Sequence, residues 1–161
     1  MIAIVAVTDD WGIGKDGKLL VRNRADMKLF RLLTLDNTVI CGRKTFESFP
    51  NGALDRRRNI VITSDESFSA PNVDRASSTI DALRMASESN DLACVIGGES
   101  IYRQMLPFCS LAFVTKNHVS VPFDTAFPNL DADDRWELVE EVQMGETADG
   151  IAFSVCIYER K

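Results

Sequence analysis

Asp26 sits at the head of a run, Ala25-Asp-Met-Lys-Leu-Phe30, that follows Leu19-Leu20-Val21. A carboxyl group lining an apolar cleft is desolvated, which raises its pKa and makes it a usable proton handler near neutral pH. In its ionised form it would pair with a cationic heterocycle. An acid in a first helical turn is also favoured by the helix dipole alone, so position by itself leaves both readings open.

A second chemistry-bearing pattern occurs twice. Thr38-Val-Ile-Cys41 reads as a buried strand running through Gly42 into a short helix, Arg43 to Ser48. Ala93-Cys-Val-Ile96 runs likewise through Gly97-Gly98 into a helix from Glu99 to Leu106. Glycine lets backbone approach a ligand closely, and the unpaired N–H groups of a helix start suit phosphate. Two such starts, with Arg43, Lys44 and Thr45 on one and Ser100 on the other, would grip a pyrophosphate from both sides, which suggests a dinucleotide. Tight strand-to-helix turns would require the same glycines. No G-x-G-x-x-G follows the first strand, so the usual dinucleotide fingerprint lends no support.

The elements that must position these groups follow from periodicity. Ile2 to Val7 is a continuous apolar run, the pattern of a strand covered on both faces. Trp11-Gly-Ile-Gly-Lys-Asp-Gly-Lys18 predicts an irregular, mobile loop. Met27, Leu29, Phe30, Leu32 and Leu33 recur at helical spacing, predicting an amphipathic helix that begins near Arg24 to Asp26. Further strands are expected at Asn59 to Thr63 and near Val73, then a helix opened by Ser78-x-x-Asp81. After Pro107 the strands Leu111 to Thr115, Trp136 to Val142 and Ile151 to Tyr158 follow, the last two as a hairpin across Gly145 to Gly150. The fold class is α/β: a central, mainly parallel eight-stranded sheet with an antiparallel C-terminal strand and about four flanking helices.

The chain of 161 residues, 45% apolar, suits one domain over 1–161 with one continuous core. Met1 to Thr8 is shorter than a membrane span and lacks the basic start and cleavage site of a secretory signal, so a cytoplasmic protein is expected. Cys41, Cys94, Cys109 and Cys156 form no C-x-x-C pair and read as buried thiols of a reducing compartment. With His118 as the one histidine, a strand-end surface residue on this reading, no metal site is expected. A net charge of −6 argues against nucleic acid as a partner, although Arg43-Lys44 and Arg56-Arg57-Arg58 could still hold a small anion.

Taken in order, several segments resemble those of dihydrofolate reductase over essentially the whole chain. They are Ile4-Val-Ala-Val7, Trp11-Gly-Ile-Gly-Lys-Asp-Gly17, Ala25-Asp-Met-Lys-Leu-Phe30, Gly42-Arg-Lys-Thr-Phe-Glu-Ser48 and Arg57-Arg-Asn-Ile-Val-Ile-Thr-Ser64. Val95-Ile-Gly-Gly-Glu-Ser-Ile-Tyr102 and Asp124-Thr-Ala-Phe-Pro128 complete the series. The resemblance implies hydride transfer from NADPH to C6 of dihydrofolate with a proton reaching N5. Asp26 would hold the pterin and favour N5 protonation, and Thr115 would orient that carboxylate. Ile4, Val5, Met27, Phe30, Phe49 and Leu54 would line the substrate pocket, and Arg57 would pair with the substrate's glutamate carboxylate.

By the same resemblance, Ala6 and Ile13 would meet the nicotinamide amide, and the loop carrying Gly14, Gly17 and Leu19 would close over it, latched by Asp124. Gly42, Arg43, Lys44 and Thr45, with Ile96, Gly97, Gly98, Glu99, Ser100, Ile101 and Tyr102, would take the pyrophosphate and its neighbours. Arg43, Thr63 and Ser64 would contact the 2'-phosphate. A monomer with a small-molecule substrate is implied.

The chain departs from the family where an aromatic residue and a proline usually precede the acid; it has Val21 and Arg24 there. The missing proline removes pre-organisation of the helix start, and Arg22 or Arg24 would lower the Asp26 pKa if either points inward. Two other readings remain: a pyrimidine reductase of riboflavin synthesis, disfavoured by Asp26 with Arg57, and a cofactor-binding module without turnover.

Overall fold

The run Ile2–Val7 is too apolar to leave either face in water, and it forms the middle of a sheet as β1 (Ile2–Thr8). The computed structural model describes Met1–Lys161. The elements after β1 are β2 (Gly12–Lys15), β3 (Lys18–Leu19), α1 (Arg24–Thr34), β4 (Thr38–Gly42), α2 (Arg43–Glu47), β5 (Arg58–Ile62), β6 (Val73–Ala76) and α3 (Thr79–Ser87). Then come β7 (Ala93–Gly97), α4 (Glu99–Met105), β8 (Leu111–Asn117), β9 (Thr125–Ala126), β10 (Trp136–Glu146) and β11 (Ala152–Arg160).

Eight strands make the main sheet in the order β10-β11-β8-β1-β7-β4-β5-β6. The pairs from β8 across to β6 are parallel, and β11 alone runs against the rest. The C-terminal hairpin supplies the edge, with β10 outermost and β11 hydrogen-bonded to β8. The α/β class with a mainly parallel eight-stranded sheet and four α-helices is therefore as the sequence predicts. All four cysteines are buried and free.

Two expectations change. The segment from Trp11 to Lys18 is not irregular: Gly12–Lys15 and Lys18–Leu19 pair with each other, and Gly12–Lys15 pairs with Thr125–Ala126, in a second sheet of order β3-β2-β9. Gly12 and Gly14 are held by a partner strand far along the chain, which local composition does not reveal, while Gly17 stays in the turn between β2 and β3. On α1, Phe30 and Leu33 pack on Ile2, Ile4, Val39 and Cys94, whereas Leu32 is 79% exposed. The periodicity made the apolar face of α1 wider than the sheet beneath it covers.

Candidate active site

Because the sheet is mainly parallel, the C-terminal ends of β1, β4, β7 and β8 lie along one rim, where ligands of open α/β sheets bind. A cleft of about 200 Å³ opens there, lined by Ala6, Thr8, Ile13, Leu20, Asn23 and Asp26 among others.

Asp26 reaches the cleft from the first turn of α1. Burial raises its pKa above the usual carboxylate value, and a hydrogen bond with the Thr115 side chain acts in the opposite sense. Thr115 is itself 2% exposed, on β8 opposite Ala6 of β1. Arg22 and Arg24 are both exposed, and neither contributes to the shift, so the inward-pointing arginine is not found. Met27 is 59% exposed at the rim of the cleft.

Ile4, Phe30 and Leu54 share one apolar cluster, with Ile96 packed against it. Phe49 belongs to a neighbouring cluster, edge-on to Phe46 at 6.0 Å, and Ile96 touches that cluster too. Val5 is buried in the main core beneath. The Arg57 side chain is only 5% exposed: Nη1 donates to Thr34 Oγ1 at 3.1 Å, while Nε and Nη2 donate to the Asp55 carbonyl and carboxylate. A guanidinium has five N–H donors, so this bracing leaves two for a ligand.

The two glycine turns lie side by side, since β4 and β7 are neighbours with Cys41 opposite Gly97. A Cβ on Gly42 would stand 3.2 Å from Ile101 Cγ1, and one on Gly98 would stand 3.2 Å from Thr45 Oγ1. Each helix start therefore abuts the other unit's helix, forming a cradle of backbone that side chains would fill. Gly97 has φ +126°, a region that favours glycine, and packs on the Tyr102 ring. The Tyr102 hydroxyl donates to the Ile4 carbonyl at 2.6 Å. Ser100 Oγ accepts from Gln104, leaving its hydrogen free, and Lys44 is exposed beside Thr45. The Glu99 carboxylate is turned toward the Ala126 N–H, at 3.4 Å, and Arg103.

Arg43 pairs with Glu47 at 3.7 Å and lies close enough to Asp65 to lower its pKa, which the side chain of Ser67 lowers most. This places Arg43 beside the turn that carries Thr63 and Ser64. Across the cleft, Ile13 and Gly14 belong to β2, Leu19 to β3, and Gly17 to the turn between them. Asp124 Oδ2 accepts the Asp16 N–H at 2.8 Å and the Asp124 N–H donates to Gly14 O at 3.0 Å, a latch on this strand pair.

Three contributors went unremarked in the sequence. Asn23 caps α1, its Oδ1 accepting the Asp26 N–H at 3.1 Å, and it is bridged to Asn117. The pattern Asn23-x-x-Asp26 carries the cap signal, whereas the bridge has none. Arg75 on β6 also acts on Asp65, and its Nε is buried without a hydrogen-bond partner.

A dihydrofolate reductase from Staphylococcus haemolyticus is 33% identical over 157 residues, covering 98% of this chain and 93% of that protein. A bifunctional dihydrofolate reductase-thymidylate synthase from Glycine max is 37% identical over 147 residues, and the match spans only 28% of that longer protein. The structure of dihydrofolate reductase from Enterococcus faecalis complexed with NADP(H) and RAB-propyl superposes with a TM-score of 0.91 at 30% identity, covering 99% of this chain and 95% of that one. With the family model for dihydrofolate reductase matching residues 1–160, the chain belongs to the dihydrofolate reductase family.

Proposed function

We propose that this chain, as one catalytic domain over 1–161, reduces 7,8-dihydrofolate to 5,6,7,8-tetrahydrofolate with NADPH. The observation that carries the reading is a partly buried carboxyl group of raised pKa on the floor of the cleft, held by Thr115, beside two adjoining glycine cradles. NADPH, when bound, supplies the hydride that passes from C4 of its nicotinamide to C6 of the pterin.

The chain does the rest. Asp26 binds the 2-amino group and ring nitrogen of the pterin and favours a proton at N5, directly or through water. Its raised pKa places the carboxyl nearer to neutral pH, where it exchanges protons more readily. Ile4, Val5, Met27, Phe30, Phe49 and Leu54 enclose the ring and its benzoyl arm. Arg57 meets the glutamate carboxylate with the two N–H groups that Thr34 and Asp55 leave free.

Ala6 and Ile13 orient the nicotinamide amide through their backbones. Gly14, Gly17 and Leu19 exclude water above it, which suits a charge-sensitive hydride step. The turns at Gly42 to Thr45 and Ile96 to Tyr102 hold the pyrophosphate. Arg43, Thr63 and Ser64 take the 2'-phosphate and favour NADPH over NADH. The reading includes a cytoplasmic monomer that binds no nucleic acid; no helix is long and apolar enough to cross a membrane.

The decisive assay follows NADPH absorbance with dihydrofolate as acceptor, and NADH as comparison. Turnover with NADPH in excess of NADH is the expected result. Binding of both ligands without a change in absorbance would overturn the proposal in favour of a module without catalysis.

A further inference from the structure

Asn23 and Asn117 are almost fully enclosed, at 4% and 2% exposure, yet the reaction above uses neither. A buried primary amide is costly unless its polar atoms are met. Asn23 meets that demand with two directional bonds: Oδ1 accepts the Asp26 N–H at 3.1 Å, and Nδ2 donates to Asn117 Oδ1 at 2.9 Å. Asn117 ends β8 two residues after Thr115, so both side chains leave the strand on one face. β8 thus holds the first turn of α1 through Asn117 and Asn23 at the Asp26 N–H, on the same strand face from which Thr115 acts on the Asp26 carboxyl.

Two apolar side chains would fill the same space but would hold no fixed angle between helix and strand. Hydrogen bonds weaken steeply with misalignment, so an amide pair specifies both distance and direction. The pair stands at the N-cap of α1, directly before Arg24, and restrains the helix start by a tertiary contact with the end of β8.

We propose that the Asn23–Asn117 bridge is a positioning device for Asp26, fixing the first turn of α1 on β8 so that the carboxyl group stays in register with Thr115 and with the bound pterin. This rests on the assignment of Asp26 to the pterin. The other titratable group acting with Asp26 is Tyr102 from α4, whose pKa is raised by burial first and by Asp26 second, while Arg22 lines the same cleft with an exposed side chain.

The test combines Asn23→Ser, which keeps a capping oxygen but is too short to reach Asn117, with Asn117→Leu and with the double replacement Asn23→Leu/Asn117→Leu. Three quantities are read: the Asp26 carboxyl titration by carbon NMR in ligand-free protein, the melting temperature, and kcat with KM for both substrates. In the single variants the Asp26 midpoint rises by about half a pH unit as the Thr115 hydrogen bond loosens. In those variants kcat at pH 7 falls roughly tenfold, with KM for NADPH little changed.

The double variant regains melting temperature through apolar packing yet keeps the displaced midpoint and the low kcat. An unchanged midpoint in folded single variants, or full recovery of midpoint and kcat in the double variant, would reduce the bridge to a packing role and overturn the proposal. Because the titration needs no turnover, a wild-type protein inactive with dihydrofolate would sink the functional reading and leave the bridge still decided by the NMR result.

Discussion

Gly97 and Gly98 are adjacent, yet their replacement by alanine should damage different properties. At Gly97 the backbone has φ +126°, and an added Cβ would meet the Tyr102 ring at 3.4 to 3.6 Å, an ordinary contact distance. Strain therefore dominates, at about 1–3 kcal/mol for a non-glycine residue in such a region. For a domain of this size each kcal/mol moves the melting temperature by about 2–4 °C, so Gly97→Ala should melt about 2–12 °C lower. Gly98 has φ −88°, which alanine adopts freely, and its Cβ would meet only Thr45 Oγ1, at 3.2 Å, so that the side chain must give by a few tenths of an ångström. Stability should change by less than about 1 kcal/mol. The methyl group nevertheless fills the cradle assigned to the pyrophosphate. Overpacking there by about 1–3 kcal/mol raises KM for NADPH about tenfold to a hundredfold. Calorimetry without ligand, and NADPH saturation kinetics at high dihydrofolate, measure the two effects. A Gly98→Ala variant with wild-type KM for NADPH, or a Gly97→Ala variant with wild-type melting temperature, would refute the reasoning.

Asp26→Asn should lower kcat at pH 7 by about 10²–10⁴-fold and recover part of it in acid, where the substrate arrives protonated; an unchanged neutral rate removes Asp26 from the reaction. The same variant should be more stable than wild type at pH 7. Burial raises the folded-state pKa of Asp26, so its ionisation costs stability as pH climbs from the unfolded pKa through the folded one. That advantage should vanish below the unfolded pKa, as denaturation at two pH values would reveal. Arg57→Leu should raise KM for dihydrofolate about tenfold to a hundredfold and leave KM for NADPH alone, and equal effects would reject its assigned role. Lys116→Met removes the 2.8 Å ion pair with Asp131 and the cation 4.9 Å above the Trp11 ring. A loss of about 1–2 kcal/mol is expected from denaturant unfolding, and no loss would deny these contacts a structural role.

The strand, glycine and helix units were legible because buried parallel strands announce themselves as uninterrupted apolar runs. That Gly42 faces Ile101 and Gly98 faces Thr45 was not legible, because it depends on β4 and β7 becoming neighbours in the sheet. The glycines from Trp11 to Lys18 signalled freedom, yet hydrogen bonding to Thr125 and Ala126 turns the segment into strand. Arg57 stood out as a cation, but its internal partners, Thr34 and Asp55, belong to separate elements brought together by folding. Leu32 matched the helical period and is exposed, since periodicity assigns a face without stating how far the sheet reaches.

The end of β8 explains how a polar stretch comes to lie in the middle of the sheet. Thr115, Lys116 and Asn117 alternate between faces, so the first and third meet α1 while the second points to the other side. There Lys116 stands between Asp131 and the rings of Trp11 and Tyr158, and the Tyr158 hydroxyl donates to Asp131 at 2.7 Å. Trp11 is 6% exposed and stacks on Phe127 at 6.2 Å, and the Phe127 N–H donates to its carbonyl at 2.9 Å. The root of the segment proposed to cover the nicotinamide is thereby fixed to the core, while its far side, Lys15 to Leu19, is exposed. The exposed part of that segment lies beyond Trp11 and is tied at its turn by the Asp16–Asp124 bond. One strand end therefore sets the acid from one face and anchors the covering segment from the other. On the proposed assignment, the acid and the covering segment are thus held separately, one from each face of β8.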